Sequence, residues 1–370
     1  MTILLATDSF KDALPATAVA QALERGIQLA NPAINVRSVP LADGGEGTAE
    51  LLTRQLGGLW LPVQTQDPLF RPVTTHFGYL PDRKLAILDM AQASGLQLLE
   101  PSARNPLQTG AYGTGLLIQK VLELGARKIL LGIGGSATND AGMGVARALG
   151  WKFLDSKGGE LLGRGADLAQ VETIVPGPPI DCEITVLCDV TNPLFGPNGA
   201  AHVYAPQKGT DAATVADLDA GLRRFADCCE RQLDRNPADR PGAGAAGGLG
   251  YGALLFLGAE LRSGIDTVMD VLELEQAVAA ADLVITGEGR LDAQSMQGKL
   301  ISGVCRLAER HRKPVVAVCG TLELCPEEIK NLYLTAAFSI QTRPVSLEEA
   351  LRNTAAGLEH LGFQLASIYK

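Results

Sequence analysis

Residues 3–48 read ILLATDSFKDALPATAVAQALERGIQLANPAINVRSVPLADGGEGT. The apolar run ILLAT is too short for a helix and is followed by helical spacing of apolar residues from about 16 to 30. NVRSVP then reads as a second strand, and the glycine loop ADGGEGT opens the helical stretch TAELLTRQLG. Strand, helix, strand, helix in that order predicts a parallel sheet with covered faces. The last third repeats the pattern, with ADLVITGEG, a helix from about 300 to 311, KPVVAVCG, a short helix near CPEEIKNL, TAAFSI and a helix from about 346 to 366. Two strands from the start and three from the end make a five-stranded, doubly wound, Rossmann/flavodoxin-like sheet. Between them AILDM, KILLGIG, EITVLCDV and HVYAP read as strands of their own. The expectation is therefore a discontinuous domain, 1–62 plus 266–370, a second α/β domain inserted at 63–265, and a ligand cleft between the two.

Composition narrows the function classes. At 370 residues, 46% hydrophobic and 20% charged, the chain has globular composition and no apolar stretch long enough for a membrane span. The start MTILLATDSFKDAL lacks the basic segment and cleavage site of a signal peptide, so a cytoplasmic location and no membrane partner are expected. The net charge of -9, with no lysine–arginine run, argues against nucleic acid. Seven cysteines form no CxxC and read as reduced structural thiols. A monomer or small homo-oligomer is expected.

Four glycine-rich turns follow strands: 42–48, 132–142, 241–252 and 286–299. Glycine permits positive φ and lets backbone N–H groups approach an anion, so such turns suit polyphosphate. GIGGSA (132–137) fits GxGxxA, and Asp155 lies near the distance of a ribose-binding acid, which keeps a nicotinamide-dependent 2-hydroxy acid dehydrogenase as an alternative. Against it, Asn139 and Asp140 follow at the helix start, where a carboxylate repels a pyrophosphate. QSMQGKLI fails as a P-loop, with Ala293 and Leu300 at two required positions, and no HRD, DFG or GxSxG occurs. A non-catalytic sensor of a sugar acid or nucleotide is a third possibility.

Acids crowd these turns: Asp8, Asp43, Glu46, Asp140, Asp189, Glu288 and Asp292. Asp8 and Asp140 precede helical stretches and read as caps. The others exceed what magnesium takes from a protein, one or two carboxylates, which leaves one for a base. Asp189 is chosen because it ends the apolar strand EITVLC, is mounted on a turn fixed by Pro193 and Gly196, and has no glycine loop of its own. Among the cations, Lys11 and Arg290 flank strand ends, whereas Lys208 reads equally well as a solvated surface charge.

TDSFK, ADGGEGT, DPLFRPV, GIGGSATND, CDVTNPLFG, APQKG, PGAGAAGGLG and TGEGRLDAQSMQGK, in that order along the whole chain, resemble the type I glycerate kinases. Thr7 and Ala141 depart from the family's usual proline and glycine. The resemblance implies a two-domain α/β enzyme that transfers the γ-phosphoryl group of ATP to D-glycerate with Mg²⁺, most often to give 2-phosphoglycerate, with 3-phosphoglycerate as the alternative product. Residue roles are read from this chain itself. Asp189, Lys11 and Arg290 are expected to be catalytic, and Ser9, Lys11, Asn139, Asn192 and Arg290 to meet the substrate. The nucleotide is assigned to Gly44, Gly45, Gly134, Gly135, Ser136, Gly247, Gly248, Gly287, Gly289 and Lys299, and the metal to Asp43, Glu46, Glu288 and Asp292.

Overall fold

The structure, a computed structural model, describes residues 1–42, 44–292 and 300–368. The chain forms two compact units, Met1–Asp43 with Ile265–Lys370, and Gly44–Gly264. In chain order the strands are β1 (Thr2–Thr7) and β2 (Asn35–Ser38); β3 (Leu59–Gln66), β4 (Pro72–Leu80), β5 (Leu85–Asp89), β6 (Lys128–Gly132), β7 (Lys152–Leu154), β8 (Thr173–Val175), β9 (Glu183–Leu187) and β10 (Glu260–Arg262); then β11 (Leu283–Leu291), β12 (Val315–Leu322) and β13 (Ala336–Ser339).

The first unit is a five-stranded sheet of order β13-β12-β11-β1-β2, every pairing parallel. Counted within this unit, that is the 2-1-3-4-5 order of doubly wound folds, with its switch point between β1 and β11. Ile3, Leu4, Leu5 and Ala6 are all fully buried, as a strand covered on both faces requires. The helices Ala16–Ala30 and Thr354–Ser367 pack on one another, and Gly26 and Gly362 allow it. A Cβ at Gly26 would lie 1.9 Å from the Glu359 carbonyl oxygen, so backbone meets backbone there. Val19, Leu23 and Ile27 join Leu358, Leu361 and Leu365 over Ile3, Leu5, Leu283 and Ile285 in one apolar core.

The second unit holds a six-stranded sheet, β10-β9-β6-β5-β4-β3, and the small β7-β8 pair. β5, β6, β9 and β10 run parallel, while β3 and β4 form an antiparallel hairpin on the edge. The motif DPLFRPV is the tip of that hairpin: Asp67 accepts the N–H groups of Leu69 and Arg71 at 2.8 and 2.9 Å and pairs with the Arg71 guanidinium.

Two expectations are corrected. A boundary after residue 62 would cut β3 in half, because Leu59–Gln66 is paired with β4 along its whole length and belongs to the second unit's sheet. HVYAP is no strand, since Ala200–Tyr204 is helical, started by Gly199 and buried through Ala200 and Ala201. Among the described residues no helix is long and apolar enough to cross a membrane.

Candidate active site

In the first unit, the carboxyl ends of β1 and β11 bracket the switch point, where open α/β sheets bind ligands. The Asp8 N–H donates to the Gly287 carbonyl at 2.8 Å, which ties the loop after β1 to β11. The Asp8 carboxylate accepts the Ser9 N–H at 2.6 Å, and Phe10 and Leu14 bridge to close the loop that carries exposed Lys11. Beyond Gly287, β11 pairs with β12 alone, so Glu288, Gly289 and Arg290 project past the end of β1. Gly287 leaves room for β12 itself: a Cβ there would lie 2.2 Å from the Val318 carbonyl oxygen. A Cβ at Gly289 would sit 3.4 Å from the Lys11 backbone nitrogen, an ordinary contact.

Arg290 is engaged by two carboxylates, Asp292 at 3.3 Å and Glu323 at 2.7 Å. The Glu323 hydrogen bond, above all, raises the guanidinium's pKa further. Glu288 stands opposite Cys319, whose thiol is pushed up to about 12 by burial and by that carboxylate. Asp43 and Lys299, expected to hold metal and nucleotide, lie outside the described residues.

In the second unit, Asp89 answers what a glycine loop does beside two acids. Its buried carboxylate, at the carboxyl end of β5, accepts the Gly47 N–H at 2.9 Å and the Ala49 N–H at 3.1 Å. The amino end of helix Thr48–Gln55 is therefore capped from within the protein. The neighbouring glycines serve the packing of one loop on another. A Cβ at Gly134 would lie 2.9 Å from the Gly45 Cα, one at Gly132 2.9 Å from the Gly44 carbonyl oxygen, and one at Gly44 3.1 Å from Leu187. Glu46 is exposed, and Gly135 adopts a left-handed φ of 74° beside Ala91.

The turn after β6 runs into a buried polar cluster. Lys208 is 2% exposed and donates to the Thr138 carbonyl at 2.6 Å and the Ser136 hydroxyl at 3.2 Å. Asp140 is fully buried and accepts the N–H groups of Ala111, Gly142 and Gly144 at 2.7, 3.1 and 3.1 Å. Through Gly144 it takes one of the free N–H groups in the first turn of the helix Met143–Ala148, whose N-cap residue is Gly142. Burial lifts its pKa to about 6 against those donors, and burial drives the Lys208 amine down to about 7 against the pull of Asp140. Ala246, Gly247 and Gly248, all left-handed, lie across this turn. A Cβ at Gly247 would meet the Thr138 carbonyl oxygen at 1.9 Å, and one at Gly248 the Ala141 Cα at 2.9 Å. Ala141 is itself left-handed at φ 53°. Asn139 is fully buried, and neither end of its amide has a hydrogen-bond partner among the described residues.

Asp189 follows β9 on an exposed loop, its Oδ1 accepting from the Ser263 hydroxyl and the Gly264 N–H, both at 2.9 Å. Asn192 is occupied internally: its amide donates to the Asn198 carbonyl at 2.8 Å, and its Oδ1 accepts from Tyr204 at 2.6 Å. Asp89 and Lys208 escaped assignment from the sequence. Asp89 is the last residue of the apolar strand β5, whereas Asp189, expected to end its strand, lies two residues beyond β9. No local pattern signals that Lys208 is buried, because only packing removes it from water.

A family model described as "Glycerate kinase family" matches residues 3–370. The glycerate kinase of Halalkalibacterium halodurans is 42% identical over 372 residues, covering 99% of this chain and 98% of its own. The glycerate 2-kinase of Escherichia coli K12 is 44% identical over 356 residues, covering 95% and 93%. A crystal structure from Salmonella typhimurium LT2 that carries the name glycerate kinase 2 superposes with a TM-score of 0.89 at 40% identity, covering 100% of this chain and 98% of that one.

Proposed function

The chain belongs to the glycerate kinase family, and from that premise we propose that it transfers the γ-phosphoryl group of Mg-ATP to the 2-hydroxyl of D-glycerate, giving 2-phosphoglycerate and ADP. The name of the Escherichia coli relative, glycerate 2-kinase, supports that regiochemistry.

Asn139 carries the substrate side. A buried amide with neither end paired among the described residues costs about 1–3 kcal/mol for each unsatisfied group, which a bound substrate would relieve. It offers an NH₂ donor and a carbonyl acceptor, and glycerate brings the complement: a carboxylate to accept and its 3-hydroxyl to donate, the 2-hydroxyl proton being left for the base. A phosphate oxygen would satisfy the donor only. The 2-hydroxyl proton passes to the Asp189 carboxylate, whose two donors on Oδ1 keep it in one orientation.

The nucleotide belongs to the first unit, whose strand order is the one that binds nucleotides at the switch point. Among the described residues no three acids gather as a metal site; Glu288 and Asp292 have the oxygen-donor chemistry of magnesium, which needs only one or two carboxylates. Asp43 is a further donor of that kind outside the described residues, and Glu46 an exposed one in the second unit. The bound ion supplies charge neutralisation on the polyphosphate. Lys11 adds positive charge near a transferring phosphoryl group, Arg290, held between Asp292 and Glu323, adds guanidinium N–H donors, and Ser9 a hydroxyl at the loop of Lys11. Steady-state ADP release with D-glycerate and Mg-ATP tests the proposal; no glycerate-dependent ADP above the ATPase background sinks it.

A further inference from the structure

In the segment 136–141 every polar side chain but one is bonded within the protein. The Ser136 hydroxyl accepts from the Thr138 N–H and from Lys208, both at 3.2 Å, and lies 3.2 Å from the Thr138 hydroxyl. The Ala137 carbonyl takes the Thr109 hydroxyl at 2.8 Å, and Asp140 takes its N–H donors. The Ala141 N–H donates to the Gly247 carbonyl at 3.1 Å. Asn139 alone keeps an unpaired amide. The segment is thus anchored on both sides of Asn139, and the anchor on the Thr138 side is a lysine.

A methionine would fill the same volume at Lys208 without the cost of burying an amine, so simple packing does not call for lysine. What lysine adds is N–H donors from one atom to two acceptors, the Ser136 hydroxyl and the Thr138 carbonyl. The carbonyl it holds belongs to the peptide bond that enters Asn139. We propose that Lys208 is a positioning residue for the substrate: its amine ties the Ser136 hydroxyl to the Thr138 carbonyl and so fixes the peptide that presents the Asn139 amide to glycerate. The proposal rests on the reading of Asn139 as a glycerate contact. Asp140 is the charged group that acts on Lys208, and its own backbone bonds keep it in place without the lysine.

Calorimetric binding of D-glycerate, without nucleotide, tests this on the wild-type protein, Lys208→Met, Asn139→Ala and the double variant, with thermal midpoints taken in parallel. Lys208→Met should keep or raise the midpoint and weaken glycerate about tenfold or more, as small misplacements of a binding group do. Acting through Asn139, the two substitutions must be non-additive, so the double variant binds no worse than Asn139→Ala. Unchanged affinity in Lys208→Met, or multiplied losses in the double variant, overturns the proposal. Should Lys208→Met fail to fold, Ser136→Ala, which removes one of the two acceptors, replaces it in the same cycle. Unchanged affinity in Asn139→Ala would mean that the amide serves only a buried water, which overturns the proposal and the glycerate contact together. A wild-type protein that binds glycerate without turning it over removes the kinase reading and leaves the binding cycle to decide this one. No binding at all by the wild type overturns both.

Discussion

A buried amine beside a buried carboxylate makes stability depend on pH in two opposite directions. Asp140 has its folded pKa raised from 3.8 to about 6, so its contribution is present below the unfolded value and lost as pH rises through 6. Lys208 has its folded pKa lowered from 10.5 to about 7, so its contribution is present above the unfolded value and lost as pH falls through 7. The pair therefore adds least between about pH 6 and pH 7. Replacing Lys208 by methionine should abolish the gain on the alkaline side, on the order of 2 kcal/mol between about pH 7 and pH 9. Urea midpoints of both proteins at the two pH values measure it; parallel slopes would place the amine in water. At Asp189 the near-isosteric change to asparagine keeps an oxygen for Ser263 and Gly264, so folding should survive. Loss of the base should lower kcat by about two to four orders of magnitude with Mg-ATP affinity nearly intact. Single-turnover rates beside nucleotide calorimetry decide it, and an unimpaired rate removes the assignment.

Among elements, the helix Thr48–Gln55 depends on a distant strand end for its cap. Asp89→Ala leaves the Gly47 and Ala49 N–H groups without their acceptor and should cost about 1–3 kcal/mol, seen as a lower denaturant midpoint with unchanged slope. A shift under about 0.5 kcal/mol would show that solvent caps the helix as well. The glycine loop was legible in the sequence as a strand-to-helix turn, but its partner was not. Local pattern marks a donor-rich helix start without saying whether an anion or the protein's own carboxylate fills it. The same limit explains HVYAP. Its β-prone residues look extended in isolation, whereas Ala200 and Ala201 are buried against a neighbouring cluster that fixes a helical turn. The β3–β4 hairpin went unread because Leu59–Gln66 alternates weakly and carries Pro62, which an edge strand tolerates.

At the scale of the whole molecule, the central strands β1, β11 and β12 of the first unit were readable because buried parallel strands are short apolar runs separated by helices. The site was legible in part. The sequence could nominate Lys11, Asp189, Glu288 and Arg290 by their position beside strand ends, while the burial of Lys208 and Asp89 depends on tertiary packing that no local spacing encodes. The most direct test of the account is to follow the products of D-glycerate and Mg-ATP by phosphorus NMR on the intact protein. 2-Phosphoglycerate should accumulate in step with ADP, and accumulation of 3-phosphoglycerate, or ADP without any phosphoglycerate, would contradict transfer to the 2-hydroxyl.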